Sequence, residues 1–190
     1  MARRDVRKTI LEYSMQYLEQ SGCKFSVDDM MKELNMSKRT FYRYFETKEL
    51  LLIALIDMLT EEVQQTMRRH AADETLSTAE KLFRVLTIET NFEKLISYRH
   101  IAELEKYYPQ VYQYLMSRYE FDWCVVEELL HKGMEEGVYK NQSVDLVKTL
   151  LQNGMQMLCR GDFLERNSLT YQEALHQTVE IILKGIQSKN

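Results

Sequence analysis

Proline, glycine and cysteine are scarce in this chain of 190 residues, which holds one proline, six glycines and three cysteines. So few turn-forming residues argue against a β-sandwich, because such a fold must reverse its chain often. The cysteines, Cys23, Cys124 and Cys159, lie far apart and form no C-x-x-C pair. This spacing predicts reduced thiols in an intracellular protein rather than a disulfide framework.

Long apolar runs are also missing. The longest, Leu50 to Met58, is interrupted by Asp57 and is far shorter than a bilayer span. The chain starts with basic residues, but no apolar segment follows them, so the start does not resemble a signal peptide. We therefore expect a cytoplasmic protein with no membrane contact.

Apolar and helix-favouring residues are plentiful. Hydrophobic residues make up 45% of the chain and charged residues 28%, which is enough to form a globular core. The net charge is −4, but residues 1–50 carry ten Lys and Arg against eight Asp and Glu. The remainder carries fifteen against twenty-one, so the two parts differ in sign. This asymmetry indicates a nucleic-acid-binding module at the basic end.

Capping residues and turns divide the basic end into short helices. Ser21-Gly22 ends the first helix, and Ser26 caps a second helix of about two turns. Asn35 then suits a left-handed turn, after which Ser37 caps a third helix ending near Phe45. A long fourth helix is expected from Lys48 to about Arg69, and later helices open at the capping boxes Ser77-x-x-Glu80 and Thr170-x-x-Glu173.

The resulting prediction is an all-α fold of about nine helices. Residues 1–47 would form an N-terminal three-helix domain, and residues 48–190 a C-terminal helical bundle joined to it by the long fourth helix. That helix is expected to be the only element that reaches both halves.

The second and third helices have the lengths and the tight turn of a helix-turn-helix, whose second helix enters the major groove of DNA. Lys38, Arg39 and Arg43 make this second helix basic. Arginine can donate two hydrogen bonds to guanine, whereas the hydroxyls of Thr40 and Tyr42 can reach phosphate. A basic patch on a short helix is more often only a solvated surface. The helix lengths, the turn residue and the inward-facing aromatics favour DNA binding here.

The segment FSVDDMMKELNMSKRTFYRYFETKELL resembles the DNA-binding domain of the tetracycline-repressor (TetR) family of bacterial transcription regulators. The resemblance covers about the first fifty residues. Asn35 stands where the family favours glycine, and Met31 stands where a small alanine is usual. The matching elements are Ser26-Val27, Ser37, Thr40-Phe41-Tyr42, Tyr44-Phe45 and Lys48-Glu49-Leu50-Leu51.

The resemblance implies a role for each exposed polar residue of this segment. Tyr42 and Lys48 would contact backbone phosphates, assisted by the hydroxyls of Ser26 and Ser37. The other residues would face base edges or neighbouring phosphates. The complete set of expected DNA-contacting residues is Ser26, Ser37, Lys38, Arg39, Thr40, Tyr42, Arg43, Tyr44 and Lys48.

The resemblance also implies that the C-terminal region dimerises and holds a small-molecule pocket. Eight aromatic residues lie between Tyr98 and Trp123, and such a stripe is more often plain core than a binding site. A pocket for an apolar or aromatic effector is the alternative, since ligand sites are mostly apolar with a few polar anchors. Its expected lining is Phe83, Phe92, Tyr98, His100, Glu103, Tyr112 and Trp123.

A single short recognition helix makes few contacts, so a homodimer that binds palindromic double-stranded DNA is expected. Apolar stripes on the last two helices could pack across a two-fold axis, although packing within one subunit would explain the same stripes. The expected interface residues are Leu146, Leu150, Gly154, Met157, Leu175, Val179, Ile182 and Ile186.

The sequence offers only weak candidates for a metal site and no enzyme motif. His100 with Glu103 and Glu127 with His131 have helical spacing, but pairs of this kind more often lie on the surface than bind a metal. The sequence has no phosphate-binding glycine loop, nucleophile elbow or H-E-x-x-H motif. We therefore expect no enzyme activity, no metal and no cofactor.

The sequence thus predicts a ligand-responsive transcription regulator, a repressor that a small molecule releases from a palindromic operator. A DNA-binding protein of the same fold without a small-molecule effector, such as an architectural or cell-division factor, is the first alternative. An enzyme built on a helical bundle is the second.

Overall fold

The computed structural model describes residues 6–88, 98–121, 123–158 and 163–188, with the side chains of 98–99 and 119–121 excepted. Within these ranges the chain forms eleven α-helices and one short 3-10 helix, Gly22–Lys24. The only extended pairing in these ranges is an isolated bridge between Tyr139 and Gln187. The prediction of an all-α fold is confirmed.

The helices are numbered in chain order. Their count exceeds nine because the described chain between Ser77 and Gly137 divides into four helices and because α10 is a short additional helix. The bounds are α1 (Val6–Ser21), α2 (Val27–Glu33), α3 (Lys38–Tyr42), α4 (Lys48–Ala72), α5 (Thr78–Leu86), α6 (Tyr98–Tyr107), α7 (Pro109–Phe121), α8 (Cys124–Glu135), α9 (Val144–Leu158), α10 (Phe163–Asn167) and α11 (Tyr171–Ile186).

The local signals at the helix ends are confirmed. Ser26 Oγ accepts a hydrogen bond from the Asp29 backbone N–H, and Ser37 Oγ accepts one from Thr40. Both predicted capping boxes form at the starts of α5 and α11. Gly22 and Asn35 have φ values of +67° and +50°, so each occupies the left-handed conformation expected of it.

The helix α3 is shorter than the sequence suggested, because it ends at Tyr42 rather than near Phe45. The backbone then tightens, with the N–H groups of Tyr44 and Phe45 both donating to the Phe41 carbonyl. Phe45 nevertheless remains buried, and its ring centroid lies 6.1 Å from that of Phe41. The inward-facing aromatic pair therefore forms although α3 itself ends at Tyr42.

The described chain divides into two compact units. The first contains the residues up to Thr60 together with α6 and α7 as far as Arg118. Its core is built from large apolar side chains, among them Ile10, Leu18, Met30, Phe41, Leu55 and Leu104.

The second unit contains the rest of α4, α5 and the described helices after Arg118. Its core includes Leu82, Trp123, Leu130, Leu151 and Val179. Both α4 and α7 supply residues to the two units. The expectation that the fourth helix alone reaches both residues 1–47 and residues 48–190 is wrong, because Glu103 of α6 accepts the Cys23 backbone N–H. The boundary between a DNA-binding domain ending at residue 47 and a helical bundle starting at residue 48 stays a prediction. None of the described helices is long and apolar enough to cross a membrane.

Candidate nucleic-acid interface

The recognition helix α3 is fixed to its scaffold by buried apolar side chains. Phe41 is 1% exposed, and Met30 and Met31 of α2 are buried as well. This packing leaves the opposite side of α3 in solvent, where Lys38, Arg39 and Arg43 are all exposed. Tyr42 is 45% exposed, and its ring meets the edge of Phe41 at 5.3 Å. The structure thus presents Lys38 and Arg39 on α3 and Arg43 directly after it, all three accessible to solvent.

Two of these cations have partners within the same motif. Lys38 Nζ lies 3.0 Å from Asp28 Oδ2, an exposed ion pair that links α3 to α2. The guanidinium of Arg43 lies 5.2 Å from the centroid of the Tyr44 ring. An exposed ion pair contributes little stability and exchanges readily. Lys38 can therefore leave Asp28 for a phosphate at small cost.

The hydroxyl groups of Ser26 and Ser37 serve as helix caps. Ser37 Oγ lies 2.9 Å from Thr40 Oγ1 and also accepts the Thr40 backbone N–H. A serine hydroxyl still has one proton to donate after accepting a hydrogen bond. Capping is therefore compatible with the predicted phosphate contacts.

Lys48 is partly buried, and its ammonium group contacts other parts of the protein rather than only solvent. Its Nζ donates to the Phe25 carbonyl at 2.6 Å and lies 4.1 Å from the centroid of the Phe25 ring. Burial lowers the pKa of Lys48 below its ordinary value, since desolvation disfavours the charged form. Lys48 thus joins the start of α4 to the residue before the α2 cap. Its phosphate contact stays a prediction.

A second joint holds the 3-10 helix Gly22–Lys24 against α6. Glu103 accepts the Cys23 backbone N–H at 2.7 Å, and Cys23 Sγ donates to the His100 carbonyl at 3.5 Å. Gly22 has a φ of +67°, and a Cβ there would meet Glu103 Oε2, so a larger residue would be strained and would displace this carboxylate. Burial raises the pKa of the Cys23 thiol to about 12, so it stays protonated at neutral pH.

This joint gives two predicted effector residues an internal role, because Glu103 and His100 were expected as polar anchors for a ligand. The contact joins residues 80 positions apart in sequence, so no local sequence pattern predicts it.

Comparison with known proteins bears directly on this motif. The model of the family described as "Bacterial regulatory proteins, tetR family" matches residues 10–55, which span α1 to the first part of α4. Residues 10–55 are thus identified as a TetR-family DNA-binding domain. The family match and the similar proteins support a DNA-binding transcription regulator.

Similar proteins match this chain over nearly its whole length. An uncharacterized HTH-type transcriptional regulator of Bacillus subtilis (strain 168), YvaF, is 25% identical over 179 residues, 94% of each chain. The fatty acid degradation regulator FadR of Bacillus halodurans shares the fold with a TM-score of 0.73, at 16% identity over 100% of both chains. FadR of Bacillus subtilis in complex with stearoyl-CoA has a TM-score of 0.66, at 19% identity over 95% of this chain and 99% of that one.

The predicted effector residues are distributed over both units. His100, Glu103 and Tyr112 belong to the first unit, whereas Phe83 and Trp123 belong to the second. Trp123 is 6% exposed within the core of its unit. Phe92 and the Tyr98 side chain lie outside the described residues. Among the described residues, no group of three His, Cys, Asp or Glu side chains could hold a metal ion.

Phe83 is part of a polar and aromatic cluster that the sequence did not indicate. Its ring centroid lies 5.4 Å from that of His176, in an edge-on arrangement. Gln172 Nε2 donates to the Thr87 carbonyl at 3.0 Å and lies 3.1 Å from His176 Nε2. Gln172 Oε1 is buried and has no hydrogen-bond partner among the described residues. Buried acceptors without a partner are few in folded proteins.

The predicted dimer stripe divides into exposed and buried members. Leu146, Leu150 and Met157 of α9 are 56%, 50% and 45% exposed. Leu175 and Val179 of α11 are instead 4% and 0% exposed, so they pack inside the protomer and cannot form an exposed interface. The most exposed large apolar residue of α11 is Ile181, at 72%.

The remaining interface candidates also take part in packing within the protomer. Ile182 and Ile186 are half-buried against the core of the second unit. A Cβ at Gly154 would lie 2.7 Å from Thr178 Cγ2, so this glycine allows α9 and α11 of one chain to approach closely. The sequence had placed that close approach between two copies. The large apolar residues that stay exposed on α9 and α11 are therefore Leu146, Leu150, Met157 and Ile181.

Proposed function

We propose that this protein is a homodimeric repressor that binds a palindromic operator and releases it on binding a small molecule. The observation that carries the proposal is the exposed basic surface of α3, held on a helix-turn-helix scaffold by the buried Phe41. Two copies are needed because α3 is only five residues long and offers few base contacts. Selection of bound sequences from a random duplex library tests this: the enriched sites should be palindromes.

The recognition helix and the start of α4 are expected to contribute differently to DNA binding. Arg39→Ala should cost about 1–3 kcal/mol at the selected operator and relax base preference. Lys48→Ala should weaken operator and random duplexes alike and lower the dependence of binding on salt, since it removes a phosphate contact. Affinities of both variants for operator and random DNA, measured over a range of salt, check these roles.

One outcome would contradict the roles assigned to Arg39 and Lys48. If both variants lose affinity equally on operator and random duplexes, Arg39 and Lys48 do not have the roles given to them. Because Lys48 also holds the Phe25 carbonyl, thermal unfolding of Lys48→Ala should be measured in parallel. Lys48→Arg is the matched control, as it keeps the positive charge.

The effector is proposed to be a largely apolar molecule that carries a hydrogen-bond donor. Phe83 and His176 would contact its apolar part, while the buried Gln172 Oε1 would accept the donor. The stearoyl-CoA bound to Bacillus subtilis FadR supports a long apolar ligand in this fold. The effector would bind the released form of the protein more tightly than the DNA-binding form. A difference of about 1–3 kcal/mol between these two binding free energies would change operator affinity roughly 5- to 150-fold.

Trp123, the only tryptophan, gives a direct assay of this effector step. Its indole is buried in the second unit, so ligands that bind there are expected to change its fluorescence. Compounds that do so should also release operator DNA, and Gln172→Leu should weaken their binding. A compound that binds tightly but leaves operator affinity unchanged would contradict the release mechanism. The protein would then be a regulator without a small-molecule effector.

A further inference from the structure

Two lysines converge on one exposed tyrosine in the first unit. Lys24 Nζ lies 3.9 Å from the centroid of the Tyr107 ring, and Lys106 Nζ lies 5.1 Å from the same centroid. Tyr107 is 42% exposed at the end of α6, whereas Lys24 ends the 3-10 helix before α2. Two ammonium groups are therefore held at one accessible point by residues more than 80 positions apart in sequence.

The cluster continues toward the predicted phosphate contacts. Lys48 Nζ lies 5.5 Å from the centroid of the Tyr108 ring, next to Tyr107 in the chain. The same Nζ contacts the carbonyl of Phe25, the residue between Lys24 and Ser26. Three lysines from three separate elements thus surround the corner between α6 and α7. This corner adjoins Ser26 and Lys48, both expected to contact the DNA backbone.

Neighbouring carboxylates do not neutralise Lys24 and Lys106. In the described part of the chain neither lysine forms an ion pair, and each rests on an aromatic ring instead. Glu103, the acid nearest to the 3-10 helix, accepts the Cys23 N–H, and the exposed Glu105 stands next to Lys106 in sequence. The pKa of the Tyr107 hydroxyl is lowered by hydrogen bonding from Lys24 and, to a smaller extent, from Lys106. This direction is the one expected beside positive charge.

We propose that Lys24 and Lys106, positioned by the Tyr107 ring, bind backbone phosphates of duplex DNA beside those contacted by the helix-turn-helix. This inference rests on the proposed function, since it assigns a further part of the DNA interface. A cation on an aromatic face keeps its N–H groups available to an anion, and lysine binds phosphate as a point charge. The contact would extend the interface to α6, beyond the helix-turn-helix itself.

The salt dependence of binding measures the number of phosphates that are neutralised. Lys24→Gln combined with Lys106→Gln should lower the slope of log K against log salt by about 0.9 for each phosphate that is no longer neutralised, or roughly 1.8 per protomer. The preference for operator over random duplex should stay the same, because phosphates carry no base information. The full-length protein is titrated with a random duplex and with the selected operator.

Two variants make the result specific. Lys132→Gln combined with Lys140→Gln removes the same charge from two exposed lysines of the second unit, which contains no predicted DNA contact. Lys24→Arg combined with Lys106→Arg keeps the charge, and the slope should remain that of the original protein. Thermal unfolding of every variant establishes that the fold is retained.

The outcomes separate this inference from the proposed function. If the Lys24 and Lys106 variant has the same slope as the Lys132 and Lys140 variant while operator binding persists, the inference alone is overturned. If the unaltered protein binds no duplex DNA, the proposed function fails and the inference fails with it. A loss of operator preference in the Lys24 and Lys106 variant would contradict a purely phosphate role.

Discussion

Leu150→Lys combined with Ile181→Lys is expected to convert the proposed dimer into a folded monomer at micromolar concentration. Both side chains are large, apolar and highly exposed in the protomer. A two-fold axis places each substitution in the interface twice, so four ammonium groups would be buried without partners. Burying an uncompensated charge costs several kcal/mol, which is enough to dissociate most interfaces. Sedimentation velocity gives the mass directly.

Operator binding should be lost together with the dimer. One copy of α3 cannot read two half-sites, so the operator-over-random preference, typically 10³-fold or more, should fall toward one. Asn141→Lys combined with Gln142→Lys is the control, because it adds the same charge to the exposed segment before α9. A Leu150 and Ile181 variant that stays dimeric would place the interface elsewhere.

This prediction depends on a distinction that the sequence could not make. The stripe Leu175, Val179, Ile182 and Ile186 has the spacing of one helix face, and that spacing correctly indicates a buried face. The spacing does not tell whether the face packs against the same chain or against another copy. The structure answers this for Val179, which is fully buried within its own unit. A charge at Val179 should therefore unfold the second unit rather than dissociate a dimer.

Local signals were the most dependable part of the sequence. The caps at Ser26, Ser37 and Thr170 and the left-handed residues Gly22 and Asn35 are all found as expected. Each of these depends on backbone groups within about four residues, so the sequence alone determines it. The resemblance of the same segment to a DNA-binding domain is confirmed by the family match over residues 10–55.

Contacts between segments that are distant in sequence could not be predicted from the sequence. The hydrogen bond from Cys23 to Glu103 and the stacking of Lys24 on Tyr107 join residues about 80 positions apart. Glu103 could be recognised as a carboxylate near aromatic residues, which suggested a ligand anchor. Its partner depends on how α6 packs against the 3-10 helix, which no periodicity within either segment specifies. Only the tertiary structure brings these residues together.

Phe41→Ala should produce the largest loss of stability in the helix-turn-helix. Phe41 is 1% exposed and contacts both Tyr42 and Phe45. Removing a buried phenylalanine costs roughly 3–5 kcal/mol, a large part of the about 5–15 kcal/mol that stabilises a typical domain. We expect a lower melting temperature by circular dichroism and loss of binding to every duplex at 37 °C, because α3 no longer has its anchor.

Tyr42→Phe is the matched variant at the neighbouring position, and it separates anchoring from contact. It keeps the ring that meets Phe41 edge-on but removes the hydroxyl expected to reach a phosphate. The melting temperature should stay unchanged, while affinity for operator and random DNA falls about 10-fold, the value of one hydrogen bond to a charged group. If Phe41→Ala kept its stability, or if Tyr42→Phe bound DNA as tightly as the original protein, the division of labour within α3 would be wrong.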